Sequence, residues 1–227
     1  MRIWFELRPL ADIEPWGPPD RPSLSWFGLT DGHYDLIFDD QHLFSEPGGT
    51  GGIDYQVVRL WEDLLDIAAA VLEPVPDAIA SRIDDRWLAW AATALDEDAL
   101  RWWWRRELTS GHLVRAPRVQ LWRVGDAIRI RWTVPPPEDG IAWVSQGGET
   151  TISAAAFRDE LVRFDRALIA GMQSRIEEIE RGWDRPIAID VAQLRQEQVQ
   201  RATWLERRLR DPGTNWDAVL RALASAS

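Results

Sequence analysis

The sequence predicts an α+β fold: an antiparallel sheet from N-terminal and central hairpins, packed against several helices and a long C-terminal helical pair. Three observations carry this. Strand-like segments collect at residues 2–44 and 118–152, helical periodicity occupies 57–108 and 153–225, and no strand–helix unit repeats as a parallel sheet would require. With 227 residues, 45% of them hydrophobic, the chain is long enough for one α+β domain spanning 1–227 around a packed core.

Residues 2–8 alternate as an opening strand, and Pro9, Pro15, Pro18, Pro19 and Pro22 then impose an extended, turn-rich passage. A hairpin is expected next. Its strands are Leu24–Leu29 and His33–Phe38, and Thr30-Asp31-Gly32 forms the turn. In the second strand Tyr34, Leu36 and Phe38 share one face; His33, Asp35 and Ile37 share the other, read as outward.

Beyond the Gly-rich loop at 48–52, Val57–Leu72 reads as a helix with Trp61, Leu64, Leu65, Ala68 and Leu72 on one side, closed by Pro74 and Pro76. A second helix is expected over Asp77–Leu95, with Ile79, Ile83, Trp87, Trp90, Ala91 and Ala94 at helical spacing, and a third over Asp98–Leu108. Trp102, Trp103 and Trp104 advance 100° each around that third helix. At least one indole therefore belongs at a rim or a partner surface.

Arg118–Val124 and Ala127–Val134 flank Gly125-Asp126 as a second hairpin, with Ile128, Ile130, Trp132 and Val134 inward and Arg129 and Arg131 outward. A further hairpin is expected over Ile141–Ile152 around Gly147-Gly148. Ser153 caps a long helix whose stripe is Phe157, Leu161, Phe164, Leu168, Met172, Ile176, Ile179 and Trp183, stopping near Gly182. Asp190 and Gln193 resemble a capping box for a helix that turns Val191, Leu194, Ala202, Leu205 and Leu209 inward and pairs Glu197 with Arg201. Trp216–Leu223 closes the chain as a short helix.

Charge is distributed unevenly. Residues 1–100 hold 6 Arg against 20 acidic residues, 101–134 hold 8 against 2, and 135–227 hold 12 against 15, for a net −11. Cysteine is absent, which excludes disulfides, thiolate metal sites and a Cys nucleophile. Lysine is absent too, so no P-loop lysine and no Schiff base is available, and the strongly acidic balance disfavours nucleic-acid binding. No apolar run approaches the roughly 20 residues of a membrane span, and Met1–Glu6 turns acidic before a signal peptide could form. A cytoplasmic protein without a membrane partner is expected.

Three constellations could carry function. From Arg21 to Arg59 the chain has no arginine between Asp31, Asp35, Asp39, Asp40, Glu46 and Asp54, while Tyr34 and other aromatics intervene. An acidic aromatic strip of this kind suits a basic protein partner, with Asp31, Tyr34, Asp35, Asp39, Asp40 and Glu46 as the contact residues. His33, Asp35, Asp39 and His42 are the one run dense in imidazole and carboxylate, and could hold a divalent metal for hydrolysis; no tight helical His spacing supports it. Trp103, Arg105, Arg129 and Arg131 lie in the basic waist and could clamp an anionic or aromatic ligand. Equally, the waist arginines could neutralise the acidic first hundred residues from within. His112 stands apart and reads as a turn residue.

The stretches Trp26–Gly32, Ala116–Asp126 and Ala202–Arg207 resemble, in colinear order, a family of uncharacterised actinobacterial proteins. The acidic, tryptophan-rich character is similar to that of bacterial toxin-immunity proteins. Neither likeness implies catalytic residues or a cofactor, and none is expected. The leading expectation is a non-enzymatic protein-binding module, with an immunity-type inhibitor as one form of it; a metal-dependent hydrolase and an Arg/Trp ligand pocket are the alternatives.

Overall fold

The structure is a computed structural model that describes residues 1–18, 20, 22–49, 51–81, 83, 97–138, 142–210 and 213–225. It is an α+β fold with two four-stranded antiparallel sheets. In the first, β2 (Gly32–Phe38) is central: β1 (Arg2–Leu7) lies on one side, and the short strands β3 (Gln41–His42) and β4 (Ile53–Asp54) lie on the other. The second runs β5 (Glu107–Leu108), β6 (Arg118–Val124), β7 (Ala127–Thr133), β8 (Gly148–Ser153) in spatial order.

The helices are α1 (Val57–Leu72), α2 (Asp77–Ala80), α3 (Glu97–Trp104), α4 (Ala154–Gly182), α5 (Val191–Arg201), α6 (Trp204–Arg208) and α7 (Trp216–Ser225). One large core joins both sheets to α1 and α4, with the Phe38 and Trp132 rings stacked between the sheets at 5.4 Å. A smaller cluster unites Ile79, Trp102, Trp103 and Val219 with Trp122, so β6 sends Val119 and Leu121 into the large core and Trp122 into the small one.

The most periodic segments form as their spacing dictates. α1 keeps its expected bounds, and α4 buries Phe157, Leu161, Phe164, Leu168, Met172, Ile176 and Ile179 along one face. Ser153 Oγ accepts the Ala156 amide at 3.0 Å and so satisfies one of the free N–H groups of the first turn. Ser153→Ala should therefore lower stability by about 1 kcal/mol in a urea titration while leaving the helix register unchanged. α4 also closes the outer edge of β1: the Ile3 amide donates to Glu160 and Arg163 donates to the Ile3 carbonyl. Burial opposes ionisation of Glu160, but its bonds to Arg163 and to the Ile3 amide hold its carboxyl below the usual range.

Several expectations are corrected. Leu24–Leu29 is not a strand: Ser25 Oγ accepts the Gly28 amide at 3.2 Å and opens a 3₁₀ turn over Gly28–Thr30, while β2 pairs with β1 across a long connection. Gly32 is required not for a turn but because a Cβ there would sit 2.1 Å from the Glu6 carbonyl oxygen on β1. The expected 141–152 hairpin is replaced by pairing of β8 with β7, and 142–147 is irregular.

The third helix stops at Trp104, and Glu107–Leu108 become a strand against β6. The C-terminal helix breaks at Ala202–Thr203, leaving Ala202 exposed, and Trp204 instead stacks on Trp61 at 5.5 Å. The second expected helix shows its first turn as α2; residues 84–96, including Trp87 and Trp90, lie outside the described residues. In the Trp run, Trp102 and Trp103 are buried and Trp104 is exposed, as its rotation around the helix requires.

Candidate functional site

Three loops meet along β2. The first is the β2–β3 turn and its continuation to Glu46, the second is Ser110–Arg115, and the third is 142–146. The Val144 amide donates to the Ser45 carbonyl at 2.8 Å, Trp143 Nε1 donates to the Arg115 carbonyl at 2.8 Å, and the Phe44 and Trp143 rings meet edge to face.

The β2–β3 connection is a two-residue turn in which Asp39 and Asp40 take φ of 45° and 66°. Both values lie in the left-handed region that such hairpin turns require and that Asp tolerates. Ser110 and Arg115, at φ of 42° and 55°, bracket the second loop with the same less favoured geometry.

Beneath this surface Asp35 is a buried hub, 1% exposed. Its Oδ1 accepts the Phe44 amide at 2.9 Å; its Oδ2 accepts the Ser45 hydroxyl at 2.9 Å and lies 2.7 Å from His42 Nδ1. Ser45 Oγ in turn accepts the Gly52 amide at 3.1 Å. The carboxylate thus selects the His42 tautomer with its proton on Nδ1, and the ring, 45% exposed, keeps Nε2 as its second nitrogen.

On the opposite face of β2 the Tyr34 hydroxyl lies 2.6 Å from His112 Nε2, and His112 Nδ1 lies 3.4 Å from Asp63 Oδ2. Asp63 favours a proton on Nδ1, so Nε2 accepts from Tyr34. Burial, reinforced by the Asp63 charge, pushes the Tyr34 phenol up and keeps it a hydrogen-bond donor. His112 lies in a turn, as expected, and this half-buried residue also ties α1, β2 and the second loop together. No local spacing could reveal it, because Tyr34 and His112 are 78 residues apart.

The acidic strip is only partly a surface. Asp39, Asp40 and Glu46 are exposed, and among the described residues no ion pair reaches them. Tyr34 lies on the face of β2 that the alternation assigns to the core, whereas Asp35 is core because Leu43, Phe44 and Ser45 fold back over the face that it assigns to solvent. Asp31 is shielded by Arg8, which bonds it at 2.8 Å and reaches Asp54 at 2.6 Å. Trp26, Phe38 and Phe44 are buried as well, so the strip is acidic without being aromatic. Val144, whose amide donates to the Ser45 carbonyl, is 56% exposed, and Val114 in the second loop is 67% exposed.

The other constellations are dispersed. His33 approaches Asp54 at 3.7 Å whereas His42 binds Asp35, and among the described residues no three His, Asp or Glu side chains gather as a metal site. Trp103 is buried in the small core, while Arg105 lines a groove on α1 and α6. Arg131 lies over the Trp122 ring and pairs with Glu149 at 3.7 Å; Arg129, on the same face of β7, is exposed.

The waist arginines pair largely within their own neighbourhood: Arg118 with Glu107, Arg123 with Asp126, Arg115 with Glu138. Arg101 and Arg106 reach back to Asp98 and Glu73. Arg101 and Arg106 thus neutralise acids of the first hundred residues, as the alternative of internal neutralisation holds.

The family of unknown function DUF5984 matches residues 2–222. The chain belongs to this family. No curated protein and no solved structure matches it. No helix among the described residues of this DUF5984 chain is long and apolar enough to cross a membrane.

Proposed function

We propose that the protein is a non-enzymatic binding module that presents the acidic rim Asp39, Asp40 and Glu46, with Val144 and Val114 on the loops that meet along β2, to a basic protein partner. An immunity-type inhibitor that occludes a basic toxin surface is one such module. The observation that carries the reading is that these three carboxylates are exposed and have no ion-pair partner among the described residues, although most neighbouring acids are matched by Arg or His. Unmatched surface carboxylates leave a negative field that accelerates encounter with a cation-rich surface, and the exposed valines supply apolar contact after docking.

The reading is tested with the triple variant Asp39→Asn, Asp40→Asn, Glu46→Gln. A native-host protein retained by the unmodified chain should associate with the variant about tenfold more slowly at low salt, and the two rates should converge as the screening length falls below about 10 Å. The melting temperature should stay essentially unchanged, because none of the three side chains holds the fold. Equal association of both proteins with that partner at low salt would remove the rim as the docking surface.

A second reading rests on the exposed His42 held by Asp35, which is the geometry of an oriented general base. A hydrolase would also need a nucleophile or a metal. Ser45 is turned toward Asp35 instead of His42, and the metal alternative built on His33, Asp35, Asp39 and His42 has no gathered ligand set among the described residues. Divalent-metal-dependent hydrolysis of model esters or phosphodiesters, lost in His42→Gln, would favour this reading over the first.

A further inference from the structure

A groove of about 500 Å³ runs between the second half of α1 and the C-terminal segment around α6, lined by Asp66, Ala69, Ala70, Arg105, Arg207, Arg208 and Arg210. Its volume is in the range of small-molecule sites, roughly 300–1,000 Å³. The four arginines come from different places: Arg105 follows α3, Arg207 and Arg208 belong to α6, and Arg210 follows it. Among the described residues, four guanidinium groups line the groove with the carboxylate of Asp66, in a chain of net −11.

Asp66 is taken up by Arg208 at 2.6 Å, and no carboxylate among the described residues pairs with Arg207 or Arg210. Gathering like charges is unfavourable, and the cost is offset when an anion lies among them. Small alanines on the α1 side leave room above the helix surface.

We propose that this groove is an anion site for a ligand carrying two or more linked phosphoryl groups. The planar fork of arginine matches phosphate oxygens in pairs, and several forks from separate segments can each engage a different phosphoryl group. The site shares no residue with the acidic rim, so it stands or falls independently of the protein-binding reading.

The experiment is calorimetric titration of the intact protein with inorganic tripolyphosphate, pyrophosphate, ADP and orthophosphate at low salt. Saturable binding of tripolyphosphate or ADP, at least tenfold tighter than orthophosphate, is expected. Tighter binding of ADP than of pyrophosphate would assign the phosphates to a nucleotide; the reverse would assign them to a free polyphosphate. The double variant Arg207→Gln, Arg210→Gln should weaken this binding about tenfold or more with an unchanged far-ultraviolet circular dichroism spectrum. A matched double variant, Arg129→Gln, Arg158→Gln, removes two exposed arginines elsewhere and should change it less than twofold. Absence of saturable binding, orthophosphate binding as tightly as tripolyphosphate, or equal losses in the two double variants would each overturn the proposal.

Discussion

Replacing Glu73 with alanine should destabilise the protein by about 3–5 kcal/mol, the cost of leaving a buried charge without its partner. The residue left behind is Arg106, whose side chain is 3% exposed. Its NH2 donates to Glu73 Oε2 at 2.8 Å, its NH1 donates to the Trp102 carbonyl at 3.1 Å, and its guanidinium lies over the Trp102 and Trp216 rings. Burial lowers the Arg106 pKa to about 10 while Glu73 opposes the shift, so removing the carboxylate takes away the interaction that favours the charged guanidinium. Glu73 also accepts the Thr214 hydroxyl at 2.6 Å, so its loss releases the segment that leads into α7.

Equilibrium denaturation checks this expectation. The double variant Glu73→Gln, Arg106→Met should recover much of the loss, because an apolar side chain of similar length no longer needs a counter-ion between two indoles. A loss below about 1 kcal/mol for Glu73→Ala would mean that water reaches Arg106 and that the pair behaves as a surface bridge.

The contrast between legible and hidden parts of this fold has a simple physical origin. The stripe from Phe157 to Ile179 and the helix Val57–Leu72 could be read directly, because each is a local period whose apolar face needs only some partner, whatever it is. The β6–β7 hairpin was equally legible: Gly125 takes φ of 60° between two alternating runs. The partner of β2 was not. Two strands separated by 24 residues, Arg8 to Asp31, carry no local signal of their pairing, and the nearer run Leu24–Leu29 mimics a strand until Ser25 folds it into a turn.

The candidate site divides along the same line. Asp39 and Asp40 announce a turn, and Glu46 is exposed as its charge suggests. Asp35 lies on a face whose alternation says solvent, and only the fold-back of Leu43, Phe44 and Ser45 makes it core. The Tyr34–His112–Asp63 contact joins a strand, a loop and a helix that meet only in the folded chain.

Asp35→Ala should cost about 3–5 kcal/mol and, unlike the loss of Glu73, should also abolish binding at the acidic rim. Three groups depend on this carboxylate: the Phe44 amide, the Ser45 hydroxyl and His42 Nδ1. The first two are buried, and each buried polar group left unsatisfied costs roughly 1–3 kcal/mol, with the bond to a charged acceptor at the upper end. Asp35→Asn separates charge from hydrogen bonding. Its amide oxygen can still accept from Phe44, but its NH2 faces the Ser45 hydroxyl and His42, so it should recover only part of the loss.

Local order is the sharper readout. Hydrogen exchange at the Phe44 and Val144 amides should accelerate together in Asp35→Ala, because Val144 donates to the Ser45 carbonyl and loses its support when Ser45 is freed. Exchange in the middle of α4 should then reflect only the global loss of stability. The rim residues Glu46 and Val144 would thereby lose their fixed separation while keeping their charge and apolar surface. A partner that recognises the rim as a shaped surface should be lost at any salt concentration, whereas the Asp39, Asp40 and Glu46 triple variant changes chiefly the low-salt association rate. If Asp35→Ala leaves Phe44 and Val144 protected, the hub does not hold the loop, and the buried carboxylate is not coupled to the docking surface.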